Sequence, residues 1–398
     1  MNKNIERRLF RNIKLDYVGT FLANLNMQSS IWVLYLLFCG LNLGEIGILE
    51  GIYHATSIVC EIPSGAVADL LGRKRSMILS RICIAVSCML MLLSRNFWLF
   101  ALSFIIQAMG NNFNSGSEEA LVYDSMKYLG QEEKYIGVCG RLNMLVEVSQ
   151  GIATVAGGIL AEYSYYWCYL ACLAIAALSL LPVLFMQEAP KEEEGRKRKT
   201  SLRGVVGSHF KTSYLILKND LRIVRLMAYY SVIFAVYTLC FFYSQAYFGD
   251  LGYSKIEISV IMLLSGILSC LGAVGSEWIE EKLGRRTGFV SAAAIALSLV
   301  CFRFELPVLS AALFVLAGFF NSLLYPIKSE GLNALIPSGQ RATLISVESM
   351  FFSVAMLLLF PLAGKLSESM GLPVVLAACG ISLLLFAGIW ELCEKNVK

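Results

Sequence analysis

Asp16, Glu50, Glu61, Glu118 and Glu147, with the imidazole of His54, lie inside stretches of sequence that are otherwise apolar. Carboxyls and imidazoles are the side chains that take up and release protons, and placing a charge in hydrocarbon costs about 2.5–3.5 kcal/mol on insertion scales. A charge kept there faces either a water-filled cavity or a partner. Spacing narrows the choice. At roughly 100° per residue, Ser103, Gln107, Asn111, Asn114 and Glu118 share one arc, a polar stripe that ends in an acid. Asn143, Glu147, Gln150 and Thr154 form a second stripe, Glu50, His54, Ser57 and Glu61 a third, and Asp16, Thr20, Asn24 and Met27 a fourth. Two readings of the stripes stand: lining of a solute cavity, or hydrogen-bonding glue between helices. His54 likewise reads as a relay between carboxylates or as a structural residue satisfied by hydrogen bonds. Glu118 is the first candidate proton carrier, with Glu61, His54, Glu147 and Asp16 behind it. Asp16 also reads as a solvated group near the inner surface, and Glu119 and Asp124 as groups of the cytoplasmic end.

The second half of the chain is less acidic and more aromatic. Tyr229, Tyr230, Tyr237, Tyr243 and Tyr247 recur along one stretch, and Asn321, Tyr325, Pro326, Lys328 and Glu330 along another. An aromatic wall opposite an acidic half suits an amphipathic or cationic organic molecule, although tyrosines are equally at home at a membrane interface. Lys328 either neutralises Glu330 or attracts an anionic solute, and Pro326 should kink its helix. The candidate cavity residues are therefore Asn24, Gln107, Asn111, Asn114, Asn143, Gln150, Tyr229, Tyr237, Asn321, Tyr325 and Lys328.

The elements that must position these groups are set by composition. Of 398 residues, 57% are apolar and 16% charged, with a mean hydropathy of +0.66, far outside the range of soluble domains. Apolar stretches long enough to cross a bilayer recur about 12 times. They fall at 15–38, 43–70, 76–94, 97–123, 136–160, 165–187, 223–248, 255–281, 287–304, 307–334, 341–364 and 372–393. Most are too long and continuous for barrel strands, so an all-α integral membrane protein is expected, its backbone bonds closed within each helix.

Lys and Arg give the orientation. With both termini cytoplasmic, every basic residue except Arg95, Lys255, Arg303 and Lys365 falls at or near the inner side. The bases serve topology rather than nucleic acid. The polar segment around KEEEGRKRKTS reads as a cytoplasmic linker, 188–222, between an N-terminal bundle, 1–187, and a C-terminal one, 223–398. The basic N-terminus runs into a full-length span without a small-residue cleavage site, so no removable signal peptide is read. Twelve cysteines are scattered along the spans with no CxxC, and two histidines cannot complete a metal site with them at any recognised spacing. No cofactor or metal is expected.

One stretch interrupts the apolar pattern with an acid and three bases: GAVADLLGRKRS, residues 65–76. It has a twin 212 residues on. Gly72, Arg73 and Lys74 fall on Gly284, Arg285 and Arg286, and Asp69 on Glu281. The same offset, without a gap, carries Gly40, Glu45 and Ile46 onto Gly252, Glu257 and Ile258, and Ser117–Glu118 onto Ser329–Glu330. An even number of spans per repeat means that both halves enter the membrane in the same direction, about an axis along the membrane normal. Such halves can rock about a central cavity.

GAVADLLGRKRS resembles the loop signature of the major facilitator superfamily, G-x-x-x-D-[RK]-x-G-R-[RK], at Gly65, Asp69, Gly72, Arg73 and Lys74, with Leu70 departing from it. The resemblance covers nearly the whole chain and implies two six-helix bundles. It also implies an inner gate in which Asp69 meets the N-terminus of the eleventh span near Arg341. QGIATVAGG, 150–158, shares the glycines but not the proline of the fifth-span motif of drug–proton antiporters in this superfamily, which leans towards efflux. The expected function is secondary active transport of a small organic solute across the cytoplasmic membrane, proton-coupled, by a monomer. Alternatives are an uptake symporter for a sugar or metabolite, a channel, or a non-transporting sensor. No catalytic constellation and no Walker motif supports an enzyme or an ATP-driven pump.

Overall fold

A computed structural model of the chain describes residues 3–190, 218, 220–335 and 341–396. The charged run 191–201 of the expected linker lies outside the described residues. Among the described residues all regular structure is helical. The first half comprises α1 (Lys3–Asn24), α2 (Trp32–Phe38), α3 (Leu43–Leu71), α4 (Arg73–Leu93), α5 (Phe97–Asn114), α6 (Ser117–Tyr128), α7 (Tyr135–Tyr163) and α8 (Tyr165–Phe185). The second comprises α9 (Leu221–Asp250), α10 (Lys255–Val274), α11 (Ser276–Leu283), α12 (Thr287–Cys301), α13 (Pro307–Leu335), α14 (Arg341–Met370) and α15 (Leu372–Asn396). Nine of the described helices are individually long and apolar enough to cross a bilayer, and ten spans result if the bent α1–α2 pair counts as one. At the two remaining expected spans stand α3, which carries Glu45, Glu50, Glu61 and Asp69, and α5 with its 18 residues.

Three expected spans are broken, each with a local reason. The first bends by 47° between α1 and α2. The α-helical part α1 already ends at Asn24, whose amide donates to the Thr20 carbonyl, competing with the helix ladder. The fourth parts between α5 and α6 at Gly116, which adopts a left-handed φ of 69°. Asn114 and Glu118 are therefore not on one continuous helix face. The eighth ends at Gly275, beyond which α11 forms a separate short helix. By contrast α13 runs through Pro326 without a break.

The repeat has a physical basis at its turns. Leu41 N–H donates to Leu36 O and Gly40 N–H to Leu37 O at the end of α2; Tyr253 to Phe248 and Gly252 to Gly249 do the same at the end of α9. Gly40 and Gly252 have φ of 91° and 87°, a conformation open to glycine and strained for other residues. One turn later, Asn42 and Glu45 cap α3 reciprocally, the Asn42 side chain accepting from Glu45 N–H and the Glu45 carboxylate from Asn42 N–H. Ser254 and Glu257 make the same capping box on α10. Ile46 and Ile258, which follow, are fully or almost fully buried. The offset of matching letters is thus an offset of matching hydrogen bonds.

By contact the chain groups into two units, Met1–Ser29 with Ala55–Lys211, and Ser30–His54 with Thr212–Lys398. Residues 30–54, expected in the N-terminal bundle, pack with the second unit. Close backbone approach explains why. A Cβ at Gly47 would lie 2.4 Å from the Phe360 carbonyl oxygen, and the Tyr243 hydroxyl donates to the Leu43 carbonyl. Inside the first unit, α4 packs on α5 and α8, and α1 on α7 and α8. Inside the second, α10 packs on α13, α12 on α13 and α15, and α9 on α14. Small residues let these helices meet. A Cβ at Gly272 would sit 2.1 Å from the Phe319 carbonyl oxygen, and one at Gly318 2.4 Å from the Ser265 hydroxyl.

Candidate functional site

In the first unit, four helices aim polar side chains at one buried point. Glu118, in the first turn of α6, accepts from the Thr20 hydroxyl of α1 at 3.1 Å and from the Asn114 amide of α5 at 2.7 Å. Arg81 of α4 pairs with it at 3.3 Å, the two side chains only 7% and 16% exposed. The acid stands where the positive end of the α6 dipole favours a carboxylate. One turn before Thr20 lies Asp16, 1% exposed. Neither of its oxygens is served by a donor, the Glu118 carboxyl lies within hydrogen-bonding reach of it, and Arg81 and Glu119 are the other charged groups around it. Arg81 Nε, Asn114 Oδ1 and Ser117 Oγ are also buried without partners. A guanidinium, two carboxyls and spare donors in one apolar setting can exchange partners when a proton or a charged solute arrives.

The expected stripes are partly dispersed. Asp16, Thr20, Asn24, Asn114 and Glu118 do come together, with the Gln150 amide donating to Asn24 at 3.3 Å. Asp16 is buried, not solvated at the inner surface. Ser103 is not cavity lining. It bonds both the hydroxyl and the carbonyl of Ser87 between α4 and α5, as interhelical glue. Asn112, off the stripe, clasps Ser57 of α3 in a reciprocal pair of bonds. Gln107 is half-buried, while Asn111, Asn143 and Glu147 are exposed in the isolated chain.

The largest omission from the sequence reading is Arg81. The sequence counts it only among the bases at or near the inner side, yet it lies two turns inside an apolar helix. That depth was the available signal.

His54 bonds Ser353 of α14 through Nδ1 at 3.2 Å and faces Glu50 through Nε2 at 3.5 Å. The rings of Tyr53 and Phe352 lie edge-on to it. Glu61 lies two turns further along the same helix.

The second unit corrects two further expectations. Lys328 pairs with Glu348 of α14, not with the exposed Glu330, and its ammonium sits 4.2 Å from the Tyr325 ring centre and 5.2 Å from that of Phe234. The tyrosines of α9 are mostly core rather than wall. Tyr229 stacks on Trp390 and Phe386, Tyr243 is tied to backbone carbonyls, and Tyr247 stacks on Phe302 while bonding Ser310. Tyr237, bonded to Ser265, and Tyr325, 60% exposed, remain available, as does Asn321, whose Oδ1 is buried without a partner.

At the loop signature, Arg73 pairs with Asp124 of α6 at 2.5 Å, and Lys74 donates to the Leu184 carbonyl at the end of α8. Gly72 has a φ of 99°, and a Cβ there would lie 2.4 Å from the Glu188 carboxylate, whose oxygen accepts from Lys74 N–H. Gly284 mirrors it with a φ of 53°. A Cβ at Gly65 meets nothing within 4 Å. Glu281 and Arg286 are exposed. The side chains of Asp69, Arg285 and Arg341, and with them the expected gate contact, lie outside what is described.

Residues 17–308 match the family described as Major Facilitator Superfamily. The chain belongs to that family. Over 379 residues it is 23% identical to an "Uncharacterized MFS-type transporter YxaM" of Bacillus subtilis (strain 168), with 92% of each chain covered. Its fold resembles that of the nucleoside transporter NupG, at a TM-score of 0.75 and 14% identity over 97% of this chain and 99% of that one. A D-xylose–proton symporter follows at a TM-score of 0.68 and 14% identity, with 96% of each chain covered. These likenesses establish a superfamily transporter fold.

Proposed function

We propose that the protein is a secondary active transporter of a small organic solute in the cytoplasmic membrane, proton-coupled, working by alternating access as a monomer with both termini cytoplasmic. One observation carries the coupling: Asp16 is buried with no donor on either oxygen, and the carboxyl of the Glu118–Arg81 pair lies within hydrogen-bonding reach of it. Glu118 is held by Arg81, Thr20 and Asn114, whereas Asp16 has no donor, so a proton taken up there bridges the two carboxyls and changes the field at Arg81. This moves the leading proton carrier from Glu118 to Asp16. Glu118 and Arg81 then read the proton and pass it to the conformational equilibrium.

The candidate solute ligands are Asn24, Gln107 and Gln150 within the first unit and, taken separately, Tyr237, Asn321, Tyr325 and Lys328 within the second. Amides, phenols and one ammonium over aromatic rings suit a neutral or anionic polar ring compound better than a strong cation. The glycine pattern of 150–158 favours efflux. It also has a packing use, since a Cβ at Gly157 would lie 2.0 Å from the Met27 carbonyl oxygen.

The test is in two steps. A thermal-shift screen of purified protein against sugars, nucleosides and organic acids finds the solute by its stabilisation of the folded state. Oriented proteoliposomes loaded with that solute are then followed under imposed pH gradients. Release driven by inward proton flow supports efflux. Accumulation with inward proton flow reverses the direction, and indifference to the gradient overturns the coupling.

A further inference from the structure

We propose that the end of the first unit expected to face the cytoplasm holds a phosphate-bearing anionic lipid in a preformed cleft. A cavity of about 640 Å³ lies there between the start of α1, the start of α4 and the end of α8. Arg8, Arg11, Lys74 and Arg75 line it, against a single acid, Glu188. Topology alone requires bases on this side, but it does not require them to converge on one hollow.

Their anchoring is specific. Arg11 donates to the Phe185 carbonyl at 3.0 Å, Arg8 to the Gln187 side chain at 3.4 Å and Lys74 to the Leu184 carbonyl at 2.7 Å. These bonds tether three cations to the mouth of the cleft without neutralising any of them. Arg75 has no ion-pair partner among the described residues. Glu188 directs one oxygen at Lys74 N–H, so the hollow keeps an excess of positive charge.

The rim decides between a lipid and a soluble phosphate. Leu71, Leu184 and Phe185 border the cleft with 49%, 45% and 61% of their surfaces exposed. A free phosphate has no use for such a rim, whereas a lipid sets its acyl chains on it and its phosphate among the guanidiniums, which match phosphate oxygens with paired N–H donors. Anionic lipids of the inner leaflet supply that combination of charge and tail.

The experiment uses the full-length protein in phosphatidylcholine nanodiscs, with spin-labelled phosphatidylglycerol titrated in and its immobilised fraction measured. Wild type should immobilise phosphatidylglycerol well above labelled phosphatidylcholine. Arg8→Gln with Arg75→Gln should weaken that binding about 30-fold, the loss expected for two bases near a membrane surface. Arg8→Lys with Arg75→Lys, which keeps the charge, should retain most of it and so separates lost binding from lost folding. If Lys127→Gln with Lys134→Gln, outside the cleft, lowers binding as much, the attraction is diffuse and the site does not exist. Equal binding by wild type and the Arg8/Arg75 glutamine variant overturns it too. If millimolar inorganic phosphate displaces the labelled lipid, the ligand is soluble phosphate and the lipid assignment falls.

Discussion

Arg81 of α4 and Glu118 of α6 form an ion pair at 3.3 Å inside the first unit, although their helices are separated in sequence by all of α5. Removing one member of a buried pair typically costs about 3–5 kcal/mol, because the other charge is stranded, whereas replacing both by apolar residues is often close to neutral. Arg81→Met alone and Glu118→Met alone should therefore each lower the melting temperature of the detergent-solubilised protein by many degrees. The double change Arg81→Met with Glu118→Met should lie above both singles. Additive losses would show that the two residues act separately.

Asp16 supplies the functional counterpart. Asp16→Asn keeps the shape of the side chain and removes its exchangeable proton. Solute counterflow between equal concentrations should persist in this variant, while movement driven by a pH gradient should fall to the uncoupled level. Unchanged gradient-driven flux with Asp16→Asn would return the proton to Glu118, Glu61, His54 or Glu147.

Lys328 offers a comparison between two carboxylates. Glu348→Gln removes its partner and should cost about 3 kcal/mol. Glu330→Gln, at an exposed position two residues away in sequence, should stay within about 0.5 kcal/mol of wild type. Melting temperatures of the two variants rank them directly, and the opposite order would restore the Lys328–Glu330 pair.

The two glycines of the loop signature should respond differently to alanine. At Gly72 the backbone is left-handed and the new Cβ would press on Glu188, so expression and flux should both fall. Gly65→Ala meets open space in a helix and should be tolerated or slightly stabilising. Equal sensitivity at both positions would mean that Gly65 approaches another surface during the transport cycle.

Much of the fold was legible because a bilayer leaves few choices. Apolar length fixed the helices, and the 212-residue offset fixed the repeat, down to a shared C-terminal turn and capping box. What failed did so for local reasons. A helical wheel drawn through residues 103–118 assumed one helix, and Gly116 ends it. Periodicity placed Tyr229, Tyr243 and Tyr247 on a helix but could not say that they stack inward, since aromatic rings serve core and cavity equally. Arg81 was hidden among the bases counted at the inner side, and the partner of Lys328 lies 20 residues away on another helix, where no spacing rule reaches.

The paired turns at Gly40 and Gly252 also bear on ancestry. Asn42 caps one helix and Ser254 the other, yet both close the same reciprocal bond with a glutamate three residues on. The cap residue has changed while the bond geometry has not, as expected if a half-length gene was copied and fused and substitution then ran only between residues able to accept the same N–H. Because each copy carries an even number of crossings, the fused second copy would insert in the same sense as the first and needed no inversion. Exchanging the caps, with Asn42→Ser and Ser254→Asn, should then leave a protein that still folds, a trace of the time when both turns were one.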